Sequence, residues 1–178
     1  MSGLTKEDYE MLKKTPMETL FDLFIMHIRN IWRVDGLYFQ GIEQKFGTEA
    51  ATEIDRNCWR VLGKLEAREL KNLLRIEKKD IPAFMHALRN TSWSLYQEEK
   101  QTEVSPTKGV YKVTRCRIQE TRINKAIGVF PCKNVRFNYL KSFAEEFNPD
   151  IEVSCQVAPP EERPKGVWCQ WKFTLPRK

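Results

Sequence analysis

Four cysteines, Cys116, Cys132, Cys155 and Cys169, sit in the second half of the chain and are the residues best suited to metal or thiol chemistry. Thiolates are soft donors, and zinc favours four-coordinate sulfur sites. A Zn2+ ion held by these four residues is therefore the cofactor expected if their sulfurs converge. Their spacing gives this little support. Zinc knuckles usually contain close C-x-x-C pairs whose backbone amides reach the sulfurs, whereas here at least thirteen residues lie between any two cysteines. Free cysteine is also a common small hydrophobe. That is the reading for the fifth, Cys58, on a helical stripe.

Cationic residues surround two of the four: Arg115, Arg117, Arg122, Lys125, Lys133 and Arg136 flank Cys116 and Cys132. Arginine offers paired hydrogen bonds to a carboxylate or phosphate. We take Arg115, Arg117 and Arg136, with Asp35, as the ligand-binding candidates. The same charges would lower the pKa of Cys132 at a helix start and make it a nucleophile; a solvated face is the plainer alternative. Asp35 precedes Gly36 at what reads as a helix junction, where an aspartate usually caps. His27 and His86 have no serine or cysteine partner in sequence, Glu43 and Glu66 form no convincing carboxylate pair, and neither a Gly-rich phosphate loop nor a nucleophile elbow occurs. Aromatic residues fall on apolar stripes and do not alternate with the basic ones, so nucleic acid is not an expected partner.

The elements that must position these residues follow from length and periodicity. At 178 residues, 41% hydrophobic and 30% charged, the chain has the size and composition of one globular domain, 1–178. The net charge of +6 is uneven: residues 1–99 hold 15 basic and 16 acidic side chains, residues 100–178 hold 15 and 8. A basic half favours anionic partners. The N-terminus lacks a signal-peptide pattern and no apolar run is long enough for a membrane span, so a cytoplasmic protein without membrane contact is expected. Five cysteines then read as thiols, ligands or core residues and not as disulfides.

Residues 1–91 read as helical. Thr15-Pro16-Met17-Glu18 is a helix start with Thr15 as N-cap, and Met17, Leu20, Phe21, Phe24, Ile28, Ile31 and Trp32 form a core stripe. Asp35-Gly36 interrupts it, and a short helix from Leu37 to Phe46 stops at Gly47. Thr48 caps the next helix, with Ile54, Cys58, Val61, Leu62, Leu65 and Leu73 as its stripe; another covers Pro82 to Asn90. Residues 92–178 read as sheet-forming: strands at Trp93–Glu99 and Val110–Ile118 joined by a turn at Ser105–Gly109, a helix over Lys133–Phe147, and strands around Ile151–Val157 and Val167–Leu175. Cys116 falls on the second strand. The expected class is α+β, a helical N-terminal half packed on a mainly antiparallel four-stranded sheet with an intervening helix. If the Ala158–Gly166 loop is symmetric, Val157 pairs with Val167 and Cys155 lies directly opposite Cys169.

Two stretches, WRVDGLYFQGIEQKFGTEAATEIDRNCW and CRIQETRINKAIGVFPCKNVRFNYLKSFAEEFNPDIEVSCQVAPPEERPKGVWCQWKF, resemble an uncharacterised family of prokaryotic cytosolic proteins. More remotely, the arrangement is similar to the 4-vinyl reductase ligand-binding domain and to L-2-amino-thiazoline-4-carboxylic acid hydrolase-like proteins. The former resemblance implies a zinc held by late cysteines beside a pocket for a small, often aromatic, molecule. It matches Cys132 to the cysteine that opens the middle helix and Cys155 and Cys169 to the final pair. Cys116 stands where those sensors have an acidic ligand, a place for which Glu120 competes. The function expected is a small-molecule-binding or sensor-like domain with a structural zinc, its ligand anionic or aromatic. A hydrolase of a small amide or heterocycle and a protein-interaction domain, including a homodimer, are the alternatives.

Overall fold

The computed structural model describes residues 3–176, which divide into two compact units, one ending at Tyr38 and one beginning at Phe39. The first unit holds a short helix, α1 (Lys6–Lys14), and most of a long one, α2 (Met17–Phe46). Thr5 caps α1 by accepting from the Asp8 amide, and the acids of its first turn and lysines of its last suit the helix dipole. Thr15 does not cap α2 as expected. Its hydroxyl donates to the Met11 carbonyl at the end of α1. Nor does Asp35-Gly36 break the chain: α2 is one helix of 30 residues. An interior glycine costs only about 1 kcal/mol against alanine, too little to stop a helix with good formers on both sides. Asp35 is thus a mid-helix residue and not a cap. Of the expected stripe, Ile28 and Trp32 are buried while Met17, Phe21, Phe24 and Ile31 are exposed.

In the second unit α2 ends at Gly47, whose left-handed φ of 88° and amide bond to the Glu43 carbonyl give the stop read from sequence. There follow α3 (Thr48–Leu73), α4 (Ile81–Arg89), α5 (Ser92–Tyr96), β1 (Glu99–Val104), β2 (Lys108–Arg115), α6 (Arg117–Asn124), α7 (Cys132–Phe147), β3 (Glu152–Val157) and β4 (Cys169–Thr174). The four strands form one antiparallel sheet in the order β1-β2-β4-β3. This is the expected α+β class, with helices N-terminal and α7 between the strand pairs.

The helix α3 corrects the sequence reading by its face. Ala51, Asp55, Trp59, Gly63 and Ala67, four residues apart, are buried, whereas Ile54, Cys58, Val61, Leu65 and Leu73 are exposed. The reason is proximity. A Cβ on Gly63 would lie 2.5 Å from both the Ser142 hydroxyl and the Tyr139 carbonyl oxygen, so α3 and α7 touch at backbone distance and only small residues fit between them. Thr48 is the first residue of α3 and not its cap; Gly47 takes that position, and the Thr48 hydroxyl donates to Glu43.

The chain at Trp93 is helix and not strand, because Thr91 caps α5 by accepting from the Ser94 amide and Trp93 enters the core against Tyr111, ring centroids 4.7 Å apart. The second strand likewise ends at Arg115, and Cys116 opens α6. As read, Val135, Tyr139, Leu140, Phe143 and Phe147 of α7 and Phe84, Met85 and Leu88 of α4 are buried. Phe84 meets Phe143, Phe147 and Phe173 at 4.9–5.6 Å.

Candidate functional site

Tyr111, Val113, Cys169, Trp171 and Phe173 line the inner face of the sheet and are buried. Cys169 faces Val113 of β2; Cys155, on β3, faces Trp171 and not Cys169, and a bulge then puts Val157 opposite Gln170. The symmetric-loop register is therefore corrected by two residues on β4. The two arms of the loop have different neighbours: the Pro159 carbonyl accepts from the Lys133 amide of α7, while the Trp168 amide donates to Val113 of β2. Cys155 and Cys169 remain on one face as diagonal neighbours, about 7–8 Å apart in an ideal pair.

Cys132 joins them from the first turn of α7, and Cys116 from the junction of β2 and α6. Cys132 is the centre of the group: the thiols of Cys116, Cys155 and Cys169 each feel its charge, and Cys169 feels that of Cys116 as well. Burial pushes the Cys116 thiol up to about 12, with the Cys132 charge acting in the same direction. It pushes Cys155 to about 11 and raises Cys132 and Cys169. Opposing groups are built in. The backbone amides of Gln119 and Ile118 favour a thiolate at Cys116, that of Val157 does so at Cys155, and Lys133 lowers Cys155. Arg136, one turn along α7, acts on Cys132 by charge and hydrogen bond, while Asp55 opposes it. Burial outweighs these influences in every case, so Cys132 is a neutral thiol near pH 7 and not the activated nucleophile that its cationic neighbours suggested.

Arg136 is 2% exposed. Its guanidinium lies over the rings of Trp59, Trp93 and Tyr139, 4.4–4.9 Å from their centroids, where cation–π attraction offsets part of the cost of burial. Tyr139 donates to Glu66 at 2.5 Å, and Glu66 also accepts from the Ser92 amide at 2.8 Å. Burial and the nearby Glu66 charge hold the Tyr139 phenol well above its usual pKa. Trp171 is 0% exposed, and its indole N–H has no hydrogen-bond partner among the described residues. It stands beside Cys169, whose thiolate it favours.

Lys133 stays beside Cys155, and the other candidates make their contacts elsewhere. Arg115 bonds to Glu120 and, with Arg117, pairs with Glu98 at the surface. Lys133 pairs with Glu161. Arg122 is buried and makes a two-pronged bridge to Glu43 at 2.9 and 3.0 Å, also donating to the carbonyls of Ile127 and Gly128. Asp35 lies half-buried on α2 in the first unit. Sequence reasoning missed Trp59, Asp55, Trp93 and Trp171 as neighbours of the cysteines. The four-residue recurrence Ala51-Asp55-Trp59-Gly63-Ala67 was the available signal for the first two.

A thiophilic ion suits these donors chemically. Among the described residues, however, no group of three or more His, Cys, Asp or Glu side chains stands in metal-holding geometry. No helix is long and apolar enough to cross a membrane. A model described as a family of unknown function, DUF6125, matches residues 13–175. The chain belongs to DUF6125. The region matched in DUF6125 includes all four clustered cysteines, Arg136 and Trp171. No curated protein matches the chain.

Proposed function

We propose that this DUF6125 protein is a small-molecule-binding or sensor-like domain whose inner sheet face carries a thiolate-held zinc, with Cys116, Cys132, Cys155 and Cys169 as its ligands. The observation that carries this reading is the placement of four cysteines from separate elements about one end of the sheet: Cys155 and Cys169 are diagonal neighbours on one face, Cys132 opens α7 where the next amide bonds to the Pro159 carbonyl after β3, and Cys116 follows β2 three residues beyond the Val113 that faces Cys169. Four thiolates around Zn2+ carry a net charge of −2, which suits the buried Arg136 and the partnerless Trp171 N–H beside Cys169. Amides near Cys116 and Cys155 supply the thiolate support that C-x-x-C knuckles supply elsewhere. The remote resemblance to the 4-vinyl reductase domain points the same way and adds an anionic or aromatic ligand near the arginine and its rings. Five free thiols suit a reducing cytoplasm.

Elemental analysis of purified protein tests the metal. One equivalent of zinc per chain, lost together with several degrees of melting temperature on chelation, is expected. Because neutral thiols must ionise, adding Zn2+ to metal-free protein at neutral pH should release two or more protons per ion, read in weakly buffered solution. Metal-free protein that takes up no zinc and releases no protons would overturn the proposal.

A further inference from the structure

One face of α2 is matched by nothing in the proposed site. Met17, Leu20, Phe24, His27, Ile31, Val34 and Tyr38 recur at alternating steps of three and four over three heptads, the spacing of a helix-pairing seam. Leu20 is half-buried and the rest are exposed. The charged residues Glu18, Asp22, Arg29 and Arg33 occupy the opposite side of the helix. A seam of this kind, left in water, is the mark of an interaction surface.

We propose that this seam is where the chain meets a second copy of itself, α2 against α2, in a two-fold dimer. Three observations choose that occupant. A three-heptad apolar seam fits another helix of the same period, and an identical chain supplies one in a closed, self-complementary contact. Charges at the positions flanking a seam select partners. Here these are Phe21, Ile28, Leu23, Asn30 and Leu37, with Asp35 the only charge, so like meets like with little repulsion and no pattern invites an oppositely charged stranger. The area also suffices. Met17, Phe24, Ile31, Val34 and Tyr38 are 48–71% exposed. Taking about 150–250 Å2 for each aromatic and somewhat less for the others, they leave on the order of 500 Å2 per copy, so a pair covers roughly 1,000 Å2, the lower size of a specific interface.

Sedimentation equilibrium of the full chain at micromolar concentrations tests the dimer. Wild type is expected at twice the chain mass, and Phe24→Glu and Ile31→Glu at the chain mass with unchanged helical circular dichroism. Val61→Glu, in the exposed apolar row of α3, is expected to stay dimeric. A wild-type monomer, a dimer that survives both α2 substitutions, or a dimer broken by Val61→Glu alone each overturns the proposal. Should the charged variants unfold, His27→Cys in a chain that also carries Cys58→Ser decides: mild oxidation is expected to join two chains at this mid-seam position, with Cys58→Ser alone staying unlinked, and His27→Cys chains that stay unlinked overturn it. Zinc content is a separate readout.

Discussion

Cys58 and the four clustered cysteines are chemically the same residue in different surroundings, and their reactivity should separate them. Cys58 is exposed, whereas burial keeps the other thiols protonated near neutral pH. In metal-free protein at about pH 7, alkylation followed by mass spectrometry should label Cys58 first and the clustered four at least ten times more slowly, since the thiolate is the reacting form. Comparable labelling of Cys132 would contradict its raised pKa. Arg122 and Glu43 make a second test. Glu43→Gln leaves the buried guanidinium short of its counter-charge and should cost about 3 kcal/mol in urea unfolding, the low end for breaking a buried pair. The Arg122 bond holds the Glu43 carboxyl below 4.5. The gap between wild type and variant should thus be full above about pH 4.5 and close as pH falls through the folded pKa. The sequence showed these residues but not their partners, because Glu43 and Arg122 are 79 positions apart and ordinary in type. Cysteine carries a thiol that can bind a soft metal ion and so points to chemistry by type alone, which is why the sulfurs were legible while Trp59 and Trp171 were not.

Two glycines on helices consecutive in the chain should behave in opposite ways. Gly63→Ala inserts a methyl group 2.5 Å from the Tyr139 carbonyl oxygen, a backbone atom that cannot turn aside, and should lower stability by about 1–3 kcal/mol as α3 and α7 are forced apart. Gly36→Ala, with nothing within 4 Å, should leave stability unchanged or raise it by about 0.5–1 kcal/mol through helix propensity. Thermal unfolding of both variants checks the contrast; a neutral Gly63→Ala would mean that the helices can separate freely. The same contact explains what periodicity concealed. Large apolar residues on α3 were the natural choice for its core face, but close packing selected Ala51, Gly63 and Ala67 and left Ile54, Val61 and Leu65 outside. Helix α7, strand β2 and the last two strands were legible because large residues pack there at ordinary distances, whereas the first strand was read at Trp93–Glu99 and lies at Glu99–Val104. Register was not, since it depends on what each arm of the 158–168 loop bonds to.

At the scale of the molecule, thiols withdrawn from water, fully at Cys169 and in part at Cys116, Cys132 and Cys155, couple folding to pH. The unfolded chain ionises its thiols from about pH 9, whereas the folded chain keeps Cys155 protonated to about 11 and Cys116 to about 12. Metal-free protein should therefore lose stability steadily as pH rises above about 9, and a Cys116→Ser, Cys155→Ser variant should lose less over that range, as measured by urea midpoints. Stability rising with pH there would show that the thiols are already ionised in the fold. Class was readable from patterning, while the division at Tyr38 was not: Asp35-Gly36 stands just before it but reads as a helix break, whereas α2 runs through both as one helix. The cysteine spacing that looked like a weakness in the sequence has a kinetic side. Successive members of the cluster are 16, 23 and 14 positions apart, so no short stretch of unfolded chain can chelate an ion with two sulfurs at little loop-closure cost. Any occupant that needs the whole group must wait for β2, α7, β3 and β4 to assemble, and must leave when they part. Occupancy would then act as a proofreading signal, marking chains whose sheet is complete and staying silent on those still partly folded.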